Sequence, residues 1–223
     1  MSARPKGNYW GLDLTSSQAR PSACVGLDDD LDLTFLGFLA SDADIMAEAQ
    51  AHHPTILAID APLTLPLGLC CLEESCACQP LSGTKGRGCE RELVRLGIPC
   101  YFTTKRSIIK RMVYRAIGLG RELACLGVTV IEVYPYATKV CLWGRPIPQK
   151  TKAEGLVFLR ERLAGLVPAL RPYLDRLGHD LCDAALAAYT AFLYSRSRTR
   201  AIGDEAGVIH IPEERLDTSG RHR

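Results

Sequence analysis

Residues 55–62, TILAIDAP, decide the fold, because they form a nearly continuous apolar run that ends at Asp60 and is stopped by Pro62. A strand that is buried on both faces has this composition, and such strands form the parallel part of a sheet that is covered by helices. Residues 128–133, VTVIEV, repeat the pattern, with Glu132 as their one acid and Pro135 shortly after them. These two segments predict an α/β protein with two buried strands.

The segments before residue 55 predict the antiparallel part of the same sheet. Residues 9–14, YWGLDL, form a short apolar strand ending at an acid, Asp13. Two further apolar runs, at residues 23–27 and 31–39, flank an acidic turn and suggest a hairpin. The predicted fold is therefore a mixed sheet, with three antiparallel strands and then parallel strands, and with helices on both faces. Helices are predicted at residues 42–53, 89–96, 105–126 (interrupted near Gly118), 153–177 (bent at Pro168 and Pro172) and 180–194, and a last edge strand at residues 208–212.

The composition is that of an ordinary globular protein and limits its partners. The 223 residues predict a single domain over residues 1–223, with a cysteine-rich insert at about residues 66–89. The net charge of +2 is too small to imply nucleic-acid binding by itself, so local basic patches would have to bind any polyanion. Residues 1–8 lack the apolar core of a secretory signal, and no apolar run reaches the roughly 20 residues of a membrane span. The sequence predicts a cytoplasmic protein without membrane contact.

Asp13 and Asp60 are each the first charge after a buried strand. Ligands of open α/β sheets bind outside the carboxyl ends of the strands, so these two carboxylates converge if their strands are parallel neighbours. Carboxylates that are forced together repel unless a cation lies between them, and hard cations such as Mg²⁺ or Mn²⁺ prefer oxygen ligands. The pair therefore points to a metal site for phosphoryl transfer. The alternative is that each aspartate only begins a turn or caps a helix.

A third acid is available in the segment HDLCDA, residues 179–184. Asp180 and Asp183 are three residues apart and share one face of the predicted helix. The alanines that follow would let this helix lie close to the sheet, so that its first turn reaches the strand ends. The alternative is that both are first-turn acids favoured by the helix dipole. Glu132 is a fourth candidate, although a buried ion pair with an arginine would also explain it.

The motifs around these acids resemble a family. The segments GLDLT (residues 11–15), AIDAPL (58–63), CEREL (89–93), EVYP (132–135) and HDLCDA (179–184) look like the ordered motifs of an uncharacterised-domain family of predicted nucleases with a ribonuclease-H-like fold. The resemblance implies a ribonuclease-H-like mixed sheet and Mg²⁺ or Mn²⁺ bound by Asp13, Asp60 and Asp183. It implies supporting roles for Asp180 and Glu132, and Thr15 beside the first motif is a candidate for substrate binding. The cysteine-rich insert departs from the usual pattern.

Five of the ten cysteines crowd into the insert. They are Cys70, Cys71, Cys76, Cys78 and Cys89, enough thiolates for a structural Zn²⁺ or an iron–sulfur cluster. Their spacing is not that of two C-x-x-C knuckles, so free thiols and a disulfide stay open as alternatives.

Two basic stripes are candidates for binding a phosphate backbone. Arg87, Arg91 and Arg95 recur every fourth residue, and Lys105, Arg106, Lys110 and Arg111 follow on the next predicted helix. The alternative is that each stripe is a solvated helix face.

The sequence predicts a metal-dependent phosphodiester hydrolase, a nuclease that acts on DNA or RNA. An ATPase-like member of the same fold is the alternative enzyme, although Ala61-Pro62-Leu63 follows Asp60 where a glycine-rich phosphate loop would be expected. A regulatory module without catalysis is a further alternative.

Overall fold

The computed structural model describes residues 6–17, 20–81 and 83–213. Five strands form one mixed sheet with the order β3-β2-β1-β4-β5. The antiparallel part consists of β1 (Asn8–Asp13), β2 (Ser22–Asp28) and β3 (Leu33–Leu39), and the parallel part adds β4 (Ile56–Ile59) beside β1 and β5 (Thr129–Glu132) beside β4. The predicted mixed sheet is confirmed, and its arrangement is consistent with a ribonuclease-H-like fold.

The helices are α1 (Asp42–His52), α2 (Gly88–Arg95), α3 (Lys110–Cys125), α4 (Pro135–Trp143), α5 (Ala153–Leu166) and α6 (His179–Ser195). A 3₁₀ segment, Pro168–Arg176, follows α5, because the two prolines cannot continue the hydrogen-bond ladder of an α-helix. The predicted interruption near Gly118 is wrong, since α3 runs through it. In the described part of the chain, no helix has both the length and the apolar character needed to cross a membrane.

The sequence did not predict α4 or the strand β6 (Thr199–Asp204). Strand β6 pairs with β7 (Gly207–Pro212) in a separate antiparallel hairpin. A single bridge from His210 to Val133 joins this hairpin to the main sheet beyond the end of β5.

The alternation of side chains along β1 and β4 divides the core into two layers. Trp10, Leu12, Leu57 and Ile59 are buried in the layer that contains α1 and α3. The residues between them face the opposite layer, which contains α6. Because the side-chain period of a strand is two, a residue directly after Leu12 or Ile59 must face α6.

Helix α6 lies unusually close to β1, and Gly11 makes this approach possible. A Cβ atom on Gly11 would lie 2.1 Å from the Ala188 nitrogen and 2.2 Å from the Ala184 carbonyl oxygen. The α6 backbone therefore occupies the space that any other residue at position 11 would need. The predicted close approach of the alanine-rich helix to the sheet is confirmed.

Gly11→Ala should destabilise the protein, because backbone atoms of α6 cannot move aside as a flexible side chain can. The expected loss in the free energy of unfolding is about 1–3 kcal/mol, measured by urea denaturation. Gly37→Ala on β3 is the matched control, since its new Cβ would meet only the Phe35 ring at 3.6 Å. Equal stability changes in the two variants would contradict the close backbone contact.

Candidate active site

Three carboxylates meet on the α6 face of the sheet. Asp13 ends β1, and Asp60 follows β4, where its backbone nitrogen donates a hydrogen bond to the Leu12 carbonyl (3.0 Å). Asp183 lies in the second turn of α6 and is 6 % exposed. Asp13 and Asp60 are half-buried, and each lies close enough to Asp183 to interact with it electrostatically. The structure thus places together the three acids that the sequence predicts as metal ligands.

Burial and crowding disfavour the charged forms of these acids. Burial raises the pKa of the Asp13 carboxyl to about 7, and the negative charge of Asp183 adds to the effect, while Lys150 acts against it. Burial also raises the pKa of Asp60 well above its usual range, with Asp13 and Asp183 as the next causes. Without a bound cation, Asp13 and Asp60 therefore keep their protons to a higher pH than ordinary aspartates do.

Two lysines that the sequence reasoning missed bind Asp183. Lys139 on α4 donates a hydrogen bond to Asp183 Oδ1 (2.6 Å), and Lys150 in the following loop donates one to Oδ2 (3.0 Å). The Lys139 side chain is 7 % exposed, whereas that of Lys150 is 55 % exposed. A lone charge in the otherwise apolar run ATKVCLW (residues 137–143) was the available signal for Lys139.

Asp180 and His179 lie at the rim of this site. The Asp180 side chain is 61 % exposed, and its carboxylate lies 3.8 Å from the Lys150 ammonium group. His179 begins α6, and its Nδ1 atom is buried without a hydrogen-bond partner among the described residues. Burial and the charge of Lys150 lower the pKa of His179. Asp180 therefore adds charge at the edge of the site rather than at its centre.

The interpretation of Glu132 as part of the acidic site is wrong, and the alternative of a buried ion pair is correct. Glu132 pairs in register with Ile59, so its side chain faces away from α6, opposite to Asp60. Its two carboxylate oxygens accept hydrogen bonds from the Arg87 guanidinium at 2.6 and 2.7 Å. Arg87 also donates to Glu90 (2.9 Å), and Glu90 accepts from the Thr103 hydroxyl (2.6 Å).

The interpretation of Arg87 as a member of an exposed basic stripe is therefore also wrong. Arg87 is 1 % exposed and cannot reach a phosphate backbone. Its position just before α2, rather than on the solvent side of that helix, turns it toward Glu132. Burial opposes its charge, but the Glu132 carboxylate outweighs this effect and raises the pKa of the guanidinium.

The other predicted phosphate-binding residues lie outside the acidic site or are already paired. Arg95 is exposed, and Arg91 lies 3.4 Å from Asp204. Arg106 and Lys110 pair with Glu74 and Glu73, at 3.2 and 3.3 Å.

Thr15 lies in the loop after β1 and is occupied by contacts within the protein. Its hydroxyl accepts a hydrogen bond from Arg115 (3.0 Å) and lies within hydrogen-bond distance of the Arg20 carbonyl (2.9 Å). This arrangement orders the loop beside Asp13, so Thr15 has a positioning role in the structure.

A small cavity of about 90 Å³ lies between Asp60 and the Arg87–Glu132 pair. Tyr134, Cys100 and Met112 contribute to its wall. Burial raises the pKa of the Tyr134 phenol, and the charge of Asp60 contributes. The Tyr134 hydroxyl donates a hydrogen bond to the Pro99 carbonyl (2.9 Å), so it is held in place beside the acid.

Four of the five clustered cysteines come together and could bind a metal ion. The sulfur atoms of Cys70, Cys71, Cys76 and Cys78 all lie within 4.8 Å of one another. The inclusion of Cys89 in this group is wrong, because Cys89 is fully buried in the apolar core around α2. Among the described residues, no other group of three or more histidine, cysteine, aspartate or glutamate side chains has its ligand atoms this close together, and Asp183 is bonded to lysines instead.

Comparison with known proteins identifies the family of this chain but does not assign an activity to it. The model of the family described as "Protein of unknown function (DUF429)" matches residues 11–207, which include every residue of the acidic site. Searches of curated proteins and of solved structures gave no match.

The pKa of Asp13 predicts how stability depends on pH in the absence of metal. The pKa is about 7 in the folded protein and about 3.9 in an unfolded chain. Between these values the folded state holds a proton that the unfolded state releases, so this contribution to stability declines as the pH rises from about 4 to about 7. Asp13→Asn should make the decline shallower, and the raised pKa of Asp60 should account for part of what remains. Urea unfolding at several pH values with a chelator present measures this. Asp175→Asn, at an exposed position, is the control, and an unchanged pH dependence in Asp13→Asn would contradict the prediction.

Removing the buried Arg87 guanidinium should destabilise the folded protein, because the Glu132 carboxylate then stays buried without its positively charged partner. Arg87→Leu is expected to lower the free energy of unfolding by about 3–5 kcal/mol. Arg95→Leu makes the same chemical change at an exposed position and should alter it by no more than about 0.5 kcal/mol. Denaturation curves of the two variants test this, and similar losses would show that Arg87 is not a buried partner.

Proposed function

Because the chain belongs to this family of unknown function, we propose its activity from the site itself: a divalent-metal-dependent phosphodiester hydrolase, or nuclease, that acts on nucleic acid. The observation that carries the proposal is the meeting of Asp13, Asp60 and Asp183, from two strand ends and one helix, at the same place. Groups whose pKa values are raised by burial and by one another are concentrated at functional sites, because a stable fold alone does not require them.

The donor atoms at this site suit Mg²⁺ or Mn²⁺, which prefer carboxylate oxygens. None of the described residues donates a hydrogen bond to the side-chain carboxylate of Asp13 or Asp60, so their oxygens are available as ligands. Asp183 is not free to bind a metal ion in this structure, because both of its carboxylate oxygens accept hydrogen bonds from lysines. Asp13 and Asp60 would hold the ion, and Asp183 would join them on release of Lys150. A bound divalent ion would stabilise the negative charge that develops on the phosphate group during hydrolysis.

The two lysines beside Asp183 have different roles in the proposed reaction. Lys139 holds Asp183 in position through the short hydrogen bond at 2.6 Å. Lys150 is half exposed and paired with Asp183, and on leaving Asp183 its positive charge would attract a phosphate to the site.

The segment after Asp60 weighs against the ATPase-like alternative. The chain has Ala61-Pro62-Leu63 there in place of a glycine-rich phosphate loop that would bind a nucleotide.

The proposal predicts that Asp13→Asn and Asp60→Asn each reduce cleavage by about 100-fold or more, since each removes a ligand and a charged group from the site. The measurement is a cleavage screen with Mn²⁺ over single-stranded, duplex, hybrid and branched nucleic acids, with nucleotide hydrolysis run in parallel. Asp175→Asn is the matched control and should cleave as the wild type does.

Full activity in both aspartate variants would remove these residues from the site. Absence of cleavage and of binding to every nucleic acid at low salt would overturn the proposal. Nucleotide hydrolysis alone would favour the ATPase-like alternative. Melting temperatures with a chelator present must accompany the assays, so that lost activity is separated from lost folding.

A further inference from the structure

The spacing of four thiols in the loop between β4 and α2 matches one metal ion. The sulfur atoms of Cys70 and Cys76 lie 3.6 Å apart, and all four sulfurs of the cluster lie within 4.8 Å of one another. A tetrahedral ion bound by four thiolates at 2.3 Å would keep the sulfurs about 3.8 Å apart. The observed spacing is therefore close to that of a single four-coordinate centre.

We propose that Cys70, Cys71, Cys76 and Cys78 bind one Zn²⁺ ion, which holds the loop of residues 67–81 in its folded form. Zinc favours this choice because it binds four thiolates in a closed tetrahedral shell when its role is structural. An iron–sulfur cluster distributes its cysteines over different iron atoms, so its protein sulfurs lie farther apart than the ligands of one ion. Magnesium and calcium are excluded by their preference for oxygen.

The loop of residues 67–81, here called the cysteine loop, has little apolar burial of its own. Among its described residues only Leu72 is buried, and the loop contains neither a helix nor a strand. The backbone nitrogen of Leu81 donates a hydrogen bond to the Leu67 carbonyl (2.8 Å), which closes the loop at its base. Segments with so few buried contacts rarely hold a fixed conformation, and small irregular segments commonly gain stability from a bound metal.

Hydrogen bonds from residues in and before α3 attach the cysteine loop to the rest of the protein. The Tyr114 hydroxyl accepts a hydrogen bond from the Leu72 nitrogen (2.5 Å) and donates one to Glu73 (3.1 Å). Lys105, before α3, donates a hydrogen bond to the Cys76 carbonyl. A zinc ion with four thiolates carries net negative charge, so an ammonium group beside the centre stabilises it. The loop is thus attached to the layer that contains α3, and not to the acidic site on the α6 face.

The test measures metal in the full chain purified without an affinity tag. Elemental analysis should find about one zinc per chain, and X-ray absorption should find four sulfur neighbours. Cys76→Ser combined with Cys78→Ser should lose the zinc, whereas Cys125→Ser, which removes an exposed cysteine outside the cluster, should keep it. Iron in place of zinc, a shell containing oxygen or nitrogen, or less than about one tenth of an ion per chain would each overturn the proposal.

A second measurement, on the wild-type protein, tests the zinc site even if the double variant does not fold. Alkylation of the wild-type protein, followed by mass spectrometry, should show these four cysteines protected, and a chelator should expose all four. Hydrogen exchange should then increase in residues 67–81 and remain unchanged in the main sheet. Four cysteines that react equally fast with and without chelator, or that are found in disulfides, would sink the idea. Asp13→Asn should retain the zinc, so failure of the zinc site and failure of the proposed nuclease activity are separate outcomes.

Discussion

Asp13 and Asp60 end two neighbouring parallel strands on the same face of the sheet, and the burial of their carboxyl groups beside Asp183 is the constraint that the surrounding structure must satisfy. Two features offset the cost of this burial. The raised pKa values of Asp13 and Asp60 keep protons on their carboxyl groups, and the ammonium groups of Lys139 and Lys150 neutralise the charge of Asp183. Helix α4 therefore packs against α6 and, together with the loop after it, also neutralises the charge of Asp183 on that helix.

The period of two along a strand separates this site from a second charged centre. Glu132 and Asp60 are near neighbours at the ends of β5 and β4, yet they face opposite layers because Glu132 is in register with Ile59. On that opposite face Arg87 binds both Glu132 and Glu90, and the backbone nitrogens of Leu63 and Thr103 donate further hydrogen bonds to them. The two buried groups therefore differ in hydrogen bonding. Both carboxylate oxygens of each glutamate accept hydrogen bonds, whereas none of the described residues donates one to the carboxylate of Asp13 or Asp60.

Local sequence patterns are sufficient to predict the five strands of the main sheet, helix α6 and the proximity of Asp13 and Asp60, because apolar runs and the acids that end them indicate burial and strand ends. The alternation of side chains along a strand also decides which face Glu132 occupies. Applying it requires the register between β4 and β5, in which Glu132 lies opposite Ile59. Lys139 and the role of Arg87 depend on contacts with Asp183 and Glu132, which are 44 and 45 residues away, so no local pattern identifies their partners. Helix α4 was missed because Pro135 was interpreted as an end to the preceding strand, whereas proline is also favoured in the first turn of a helix. Cys89 lies close to the other four cysteines in the sequence but not in space, because it is buried in the apolar core around α2.

The contact between Gly11 and α6 has a consequence for motion. Atoms of two backbones already touch there, so α6 cannot move closer to β1. It can only slide along the strand or lift away from it. Changes in the separation between α6 and the sheet are therefore one-sided: the helix can lift away from β1, but it cannot come closer. A shorter distance between Asp183 and the two strand-end acids must come from sliding of the helix along the strand or from rotation of the side chains.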